Sequence, residues 1–300
     1  LLEHSRALGN LRKRTIMPLS EGIYRRLAQS RKERLARLAS TDSKRTSTRD
    51  QLAAWLRALA LAVMVAAVVY AAWQAVELLR QVQAGQFGEI LKGALATFLR
   101  VNLALVLAAA WTIPAGVAIG FNPKLARIAQ PLVQIVASIP APALFPVILL
   151  ALIKMGGGLG IGSVALMMLG TQWYILFNVI AGAMAIPSDL REVATLFRFT
   201  AVQRWRTVIL PGIFPYLITG MVTASGGAWN ASIIAEYFSL NNHTYQTVGL
   251  GAVISAATDS GRFHILLLAT IVMALMVVTI NRLVWRPLYR VAETRYKLEG

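Results

Sequence analysis

Side chains that could carry out catalysis or bind a metal are few and scattered in this sequence. The three histidines, His4, His243 and His264, match neither the HExxH pattern nor a cluster with ligand spacing, and cysteine is absent. An intramembrane hydrolase needs a serine beside a histidine, or two aspartates at one depth. Asp189 and Asp259 lie in loops that the span assignment below puts on opposite sides of a membrane. The sequence therefore predicts no catalytic centre, no metal site and no cofactor.

The most glycine-rich stretch, residues 156–162, is the one place where a phosphate-binding loop could lie. Gly157 and Gly162 have the spacing of the GxxxxGK[ST] pattern, but Ser163 follows where the lysine that contacts the phosphates is required. We therefore expect this chain not to hydrolyse ATP by itself.

The composition is that of a membrane protein. Of the 300 residues, 57% are hydrophobic and only 14% are charged, with a formal net charge of +17. A soluble domain has about 25% charged residues. The positive charge lies between long apolar runs that could not remain in water, which argues against a nucleic-acid-binding protein. The sequence predicts a protein that spans a lipid membrane several times and has no nucleic-acid partner.

Six apolar stretches follow residue 52, each near the roughly 20 residues that cross about 30 Å of hydrocarbon. They lie near residues 53–77, 94–120, 131–153, 160–185, 212–235 and 264–285. The third contains Pro140, Pro142 and Pro146. A proline-rich helix at membrane depth is tolerated where neighbouring protein satisfies the freed carbonyls. We therefore expect the third span to be kinked and buried in a bundle.

Lysine and arginine are distributed unevenly over the predicted loops. Twenty-four of the 30 basic residues fall on the side that holds residues 1–50, 121–130, 186–211 and 282–300. The positive-inside rule places that side, and both termini, in the cytoplasm. Arg100 lies inside the second span, where we expect it either to reach the membrane surface or to attract an anionic substrate.

The loop between the fourth and fifth spans has the pattern of a short amphipathic helix. Apolar residues recur at helical spacing: Leu190, Val193, Ala194, Phe197 and Ala201. Asp189, with Glu192 three residues later, resembles a capping box. Thr200 is expected to cap a second helix that runs through Trp205. By periodicity alone, the first helix could lie on lipid head groups or dock a partner.

These residues resemble the EAA motif of ABC importer permeases, in which Glu-Ala-Ala is followed by a glycine and later by a Leu-Pro pair. Residues 192–194 match the first part, and Leu210 and Pro211 match the last. Arg198 occupies the family's glycine position, so we expect an altered turn there.

Two further segments extend the resemblance. Residues 220–236 and 281–289 are similar to permeases of the nitrate/sulfonate/taurine type, most closely to the second half of their double-length members. Residues 1–50 then resemble a basic cytoplasmic segment or the linker between fused halves, which agrees with the absence of an initial methionine. Residues 51–289 are expected to form the permease domain and residues 290–300 a cytoplasmic tail.

The resemblance implies an all-α membrane protein with six transmembrane helices, a type I ABC importer permease bundle with a cytoplasmic coupling helix. It implies ATP-driven import of a small anionic solute across the bacterial inner membrane. The implied partners are two ATP-binding cassette subunits that hydrolyse the ATP, a second permease half, fused or homodimeric, and an extracytoplasmic solute-binding protein. The residues assigned to ATPase coupling are Leu190, Glu192, Val193, Ala194, Phe197, Arg198 and Pro211.

The fifth span is rich in small residues, and the resemblance places it near the translocation pathway. The residues assigned to the pathway are Gly226, Gly227, Trp229, Asn230 and Ser232. An ion-coupled secondary transporter is the alternative function, and it would need a buried acidic group. Glu236, at the outer end of this span, is the only candidate for that group.

Overall fold

The structure, a computed structural model, describes residue 32, residues 53–240 and residues 243–296. The predicted basic segment of residues 1–50 therefore lies outside the described residues, apart from Lys32. The chain divides into two units, residues 1–74 and residues 75–300, and the boundary falls within the first long helix, α1.

Helix α1 spans Ala53–Arg80 and has a mean hydropathy of 2.1. At about 1.5 Å per residue its 28 residues are about 42 Å long, which exceeds the roughly 30 Å of hydrocarbon. Its side chains are almost all exposed, including Trp55, Val65 and Tyr70. A helix that is apolar on every side suits a lipid environment.

The second unit is helical except for one hairpin. Its helices are α2 Ala84–Phe121, α3 Pro123–Ala137, α4 Ala141–Lys154, α5 Leu159–Ala185, α6 Ser188–Leu196, α7 Ala201–Arg204, α8 Leu210–Ala235, α9 Leu250–Asp259, α10 Phe263–Ile280 and α11 Arg286–Arg295. Strands β1 Tyr237–Leu240 and β2 His243–Gln246 pair antiparallel between α8 and α9.

Two π-helical turns, Trp205–Ile209 and Asn281–Trp285, make α7–α8 and α10–α11 continuous helices of 35 and 33 residues. Each turn ends two residues before a proline, Pro211 or Pro287. Because proline lacks an N–H and its ring crowds the carbonyl four residues earlier, the regular hydrogen-bond ladder cannot continue there. The wider turn accommodates this break without ending the helix.

Helices α2 and α5 run parallel, which fixes the number of membrane crossings. The Trp111 indole N–H donates to the Gln172 side chain at 3.1 Å. Farther along both helices, a Cβ added to Gly120 would meet the Ala183 Cβ. Because the two helices advance together, residues 122–158 must return the chain to the end where α2 begins. Helices α3 and α4 therefore make one bent crossing, which confirms six spans when added to the five long helices.

The third span is kinked as predicted, with an angle of 81° between α3 and α4. The break falls at Ser138 to Pro140, since proline disfavours helical geometry in the residue before it. The expectation that this span is buried is wrong for the single chain. Phe145 and Leu149 are buried, whereas Leu132, Val147 and most of the remaining apolar side chains are exposed.

The core of the unit lies between α5 and α8, which run antiparallel. A Cβ on Gly220 of α8 would lie 3.0 Å from the Tyr174 carbonyl oxygen, so the two backbones approach closely there. One turn closer to the start of α8, a Cβ on Gly182 would meet the Tyr216 side chain. Buried side chains line the seam on both helices: Ile175, Val179, Ala224 and Ala228.

Helices α10 and α11 return along α8. The Trp285 indole N–H donates to the Ser225 hydroxyl at 3.3 Å. The Phe214 and Tyr296 rings lie 4.8 Å apart, at the end of α8 that follows the 186–211 loop. The C-terminal helix and this loop therefore lie at the same end of the bundle, which we call the loop end; the hairpin and α9 lie at the opposite end, which we call the hairpin end.

A buried ion pair joins the elements of the hairpin end. Arg100 of α2 donates from Nη1 to Glu236 Oε1 at 2.9 Å, and Glu236 has no exposed surface. The Thr97 hydroxyl lies 2.8 Å from both carboxylate oxygens and accepts the Leu250 N–H at 2.7 Å. The Gly251 N–H donates to Oε2 at 2.9 Å. The carboxylate thus caps the first turn of α9, where exposed N–H groups and the helix dipole favour a negative charge.

Arg100 binds the loop after the hairpin as well. Its Nη1 donates to the Val248 carbonyl at 2.6 Å and its Nη2 to the Thr247 hydroxyl at 2.9 Å. The Tyr237 hydroxyl donates to Asp259 Oδ2 at 2.7 Å, which raises the pKa of Tyr237 and ties β1 to the end of α9. In this structure the Arg100 guanidinium is used inside the chain, in contacts that the sequence did not indicate. The two roles expected for Arg100, reaching the membrane surface or attracting an anionic substrate, stay predictions.

Arg100→Gln should destabilise the protein by about 3–5 kcal/mol, because it leaves a buried carboxylate without its counter-charge. Arg80→Gln is the matched control: it breaks the exposed pair with Glu77, which is worth about 0–1 kcal/mol. Thermal unfolding of the purified variants in one detergent gives the comparison. Equal midpoints for the two variants would show that the Arg100 pair contributes no more than a surface pair.

Candidate functional site: the loop helix and the exposed face of α8

Helix α6 begins two residues earlier than the capping-box pattern predicts. Its N-cap is Pro187, which has no side chain that could accept a hydrogen bond, so the predicted capping box of Asp189 and Glu192 is wrong. The Ser188 hydroxyl lies 3.2 Å from Asp189 Oδ1. Asp189 still favours the helix, because a carboxylate in the first turn faces the positive end of the dipole.

One side of α6 is attached to its own chain. Ala194, one of the residues assigned to ATPase coupling, is 1% exposed, so it packs inward. The Arg191 guanidinium carbon lies 5.4 Å from the centre of the Phe121 ring at the end of α2, a cation–π contact. These two residues fix the orientation of α6 on the bundle.

The other side of α6 exposes four apolar side chains: Leu190, Val193, Leu196 and Phe197. Leu196 is 79% exposed and Phe197 is 73% exposed, although both lie outside the six spans. Leu196 is a residue that the periodicity missed, because it lies one position off the 190, 193, 197 stripe and becomes its neighbour only at the helix end. Glu192 is exposed at the edge of this surface, which we call the α6 face. A cluster of exposed apolar side chains of this kind marks a protein or lipid contact.

Arg198 ends α6 in the left-handed conformation that the family's glycine would adopt. Its φ is +52°, the only positive φ of a non-glycine residue in the described part of the chain. The Phe199 N–H donates to the Ala194 carbonyl at 2.9 Å and the Arg198 N–H to the Thr195 carbonyl at 3.0 Å. These two bonds form a Schellman motif. The turn thus has a geometry that glycine favours, and Arg198 adopts it at the cost of strain. That the turn is altered relative to the family stays a prediction.

The second helix of the loop begins as predicted. The Thr200 hydroxyl accepts the Gln203 N–H, and the Gln203 side chain accepts the Thr200 N–H at 2.8 Å, a complete capping box. From there the chain runs through α7 and the π turn into α8, with Pro211 in its first turn. A single turn at residues 197–200 therefore separates the α6 face from a helix that crosses the membrane.

Of the residues assigned to the pathway, the structure brings two together on an exposed face of α8. Gly226 and Asn230 are exposed, and no described residue outside the helix itself lies within 4 Å of a Cβ added to Gly226. The face continues with other exposed residues at helical spacing, Thr219 and Thr223. We call these four residues the α8 face.

The remaining pathway residues turn toward the core. Trp229 is 3% exposed, and the buried Ser232 hydroxyl donates to its carbonyl at 2.7 Å. Gly227 is half-buried, and a Cβ there would lie 3.3 Å from Tyr174 of α5. In this conformation Trp229 and Ser232 hold α8 in the bundle and do not border the α8 face.

Comparison with known proteins decides the family. Residues 112–291 match the model of the binding-protein-dependent transport system inner membrane component. The chain belongs to this family. The matched segment includes the α6 face, the Schellman turn and the α8 face.

The relatives of this family member are permeases of ABC transporters. It is 28% identical over 189 residues to the nitrate import permease protein NrtB of Leptolyngbya laminosa, covering 63% of this chain and 64% of that one. It is 28% identical to the bicarbonate transport system permease protein CmpB of Synechococcus elongatus, covering 63% and 65%. The taurine transport system permease protein TauC of Escherichia coli is 27% identical, covering 55% and 56%. The chain thus matches less than two thirds of the length of these relatives.

Solved structures share the fold of this permease-family chain. A chain of the MetNI methionine ABC transporter, in an inward-facing conformation, aligns with a TM-score of 0.56 and 18% identity, covering 70% of this chain and 99% of that one. A chain of an amino acid ABC transporter with histidines aligns with a TM-score of 0.50 and 14% identity, covering 68% and 94%. The type I importer bundle predicted from the resemblance is thereby confirmed.

Arg198→Gly should stabilise the protein by about 1 kcal/mol, because glycine adopts a positive φ without the steric cost that arginine bears. Arg204→Gly is the control, since glycine inside helix α7 costs about 1 kcal/mol. The two changes remove the same side chain and should shift the thermal midpoint in opposite directions. A lower midpoint for both would mean that the Arg198 side chain contributes more than its strain costs.

Proposed function

We propose that this chain is the permease subunit of an ATP-driven importer for a small anionic solute, and that α6 couples it to the ATPase subunits. The family and the relatives named for nitrate, bicarbonate and taurine support this function. The observation that carries the coupling role is the α6 face, an apolar surface on a helix outside the spans. In water such a surface is unfavourable, and a partner that buries it gains binding energy.

The attachment of α6 suits the transmission of movement. Arg191 and Ala194 hold the helix on the bundle, and the Schellman turn joins it to the continuous helix of residues 201–235. A displacement of α6 by a partner therefore acts on α8 through one short turn. Because Pro211 and the π turn already interrupt the regular ladder at the base of α8, we propose that this helix bends there when the partner moves.

Phe197→Ala should lower the amount of ATPase subunit that copurifies with the permease by about tenfold or more, because a buried aromatic anchor typically costs more than about 2 kcal/mol when truncated. Phe87→Ala is the matched control, an exposed phenylalanine of α2 near the hairpin end. The copurified subunit is measured by quantitative pull-down from membranes. Equal recovery with both variants would rule out docking through the α6 face.

We infer that the loop end faces the cytoplasm, so that both the α6 face and the C-terminal helix meet the ATPase side. The charge distribution supports this orientation, because the side that carries residues 186–211 and 282–300 holds most of the basic residues. The hairpin end then faces outward, where a solute-binding protein would deliver its ligand.

Single cysteines test the orientation cleanly, because the chain has no cysteine of its own. Cysteines at Ser188 and Thr294 should stay unlabelled by an impermeant thiol reagent added to intact cells, and both should react after permeabilisation. A cysteine at Ser260, exposed at the hairpin end, is the control and should react in intact cells. Labelling of residue 188 or 294 from outside would invert the orientation.

We propose that the α8 face borders the translocation pathway, opposite a second permease half. An exposed amide in hydrocarbon lacks partners and is costly, whereas water beside a pathway satisfies it. The Asn230 side chain forms no hydrogen bond among the described residues, while the Thr219 and Thr223 hydroxyls donate to carbonyls of their own helix. Gly226 leaves room beside Asn230 for solute or for the facing helix, and Gly227 lets α8 slide against α5.

Asn230→Ala should change the apparent affinity for the transported solute, or the basal ATPase rate of the complex, by about tenfold, because it removes one hydrogen bond to a charged group. The yield of the complex should not fall. Asn102→Ala is the control, because this exposed amide donates to the Phe98 carbonyl of its own helix. Native kinetics together with poor assembly for Asn230→Ala would identify Asn230 as a packing residue.

The alternative of ion-coupled transport has little support from the buried charges. Glu236, its only candidate carrier, accepts hydrogen bonds from Arg100, Thr97 and Gly251 and has no exposed surface. A carboxylate held in this way is part of the framework of the hairpin end and is not open to an exchanging ion.

A further inference from the structure

A cavity of about 510 Å³ lies at the hairpin end, outside both faces considered so far. Its walls come from the first turns of α2, from residues 246–249 after the hairpin, from α9 and from the start of α10. Thr247 and Val248 line the cavity and also bind Arg100, so the buried ion pair holds this wall in place. The volume is that of a site for a small organic molecule.

The cavity contains three charged side chains, Glu89, Lys92 and Arg262. None of them takes part in either of the two ion pairs that form among the described residues. Among the described residues, the Lys92 ammonium has no hydrogen-bond partner. Arg262 uses its Nε in a bond to the Ser260 hydroxyl at 2.8 Å, and its terminal nitrogens have no partner in the described part of the chain. The formal charge of the lining is therefore +1, with two cations supplied by separate helices.

Uncharged groups complete the lining. The side-chain amides of Gln86 and Gln246 lie beside the charges, and Ile90, Val253 and Ile265 supply apolar surface. An inorganic anion such as nitrate has no group that would use this apolar wall. An organic anion would fill both parts of the cavity.

We propose that this cavity binds an anionic head group, a sulfonate, carboxylate or phosphate, carried on a short apolar stem, with Lys92 and Arg262 as the residues that recognise it. The same chemistry is present in a dissolved organic anion and in an anionic lipid head group. Binding here requires no ATPase subunit. The proposed function bears on one point only: if the hairpin end faces outward, this cavity lies on the outer side of the membrane.

The experiment uses the full chain in nanodiscs of phosphatidylcholine and measures calorimetric binding of ethanesulfonate. Lys92→Gln and Arg262→Gln should each weaken binding about tenfold, the loss expected for one charge-assisted hydrogen bond. Arg262→Lys should retain most of the affinity. Glu89→Gln should strengthen binding, because it removes a like charge, and a merely structural effect would not produce that gain. Arg80→Gln, a basic residue outside the cavity lining, is the control.

A second arm separates the two sources of the ligand. The wild type and the Lys92 and Arg262 variants are placed in nanodiscs that contain phosphatidylglycerol. Native mass spectrometry then measures how much of this lipid each protein retains. Lipid retention that depends on both residues, without ethanesulfonate binding, supports the proposal with a lipid as ligand. If neither ligand depends on Lys92 and Arg262 while all variants keep the elution profile of the wild type, the proposal is wrong. Loss of ATPase docking in Phe197→Ala leaves this result unaffected.

Discussion

A carboxylate with no exposed surface determines how one end of this molecule is built. Glu236 lies where α8 ends, and its partners come from α2, from the loop after the hairpin and from the first turn of α9. Removing a charge from water costs several kcal/mol, and the cost is recovered only when every partner is in place. Gly249 is part of the same constraint, because a Cβ there would overlap the carboxylate. The hairpin end therefore has one arrangement in which its charges are satisfied.

Helix α8 connects the hairpin end to the loop end, which carries the exposed α6 face. Close approaches at Gly182, Gly220 and Gly227 hold it against α5 from Tyr216 to Gly227. At its base, Pro211 and the π turn replace the regular ladder, and one Schellman turn leads to α6. Stiffness in the middle of the helix and an interrupted ladder at its base would concentrate any bending near residues 205–211.

The sequence was sufficient where a property depends on local composition. Hydropathy alone located the spans, three prolines predicted the kink between α3 and α4, and Thr200 marked a helix start. It was insufficient where partners are distant, since Arg100 and Glu236 are 136 residues apart and no local pattern links them. Periodicity likewise could not tell that Ala194 packs inward while Leu196 is exposed, because that depends on how α6 lies on α2. The left-handed Arg198 was hidden because residue type predicts the opposite conformation.

Two of the exposed surfaces of the chain differ in their chemistry, and this difference indicates different surroundings. Most of the exposed side chains of α3 and α4, such as Leu132 and Val147, are apolar, and lipid accommodates them at no cost. The α8 face presents the amide of Asn230 beside the bare backbone of Gly226, and hydrocarbon would leave that amide without a partner. In a helix surrounded by lipid, apolar side chains would face outward, but α8 buries the large ring of Trp229 and exposes the polar amide of Asn230. This exposure of a polar group agrees with the proposal that water or a second permease half, and not lipid, lies against this side of α8.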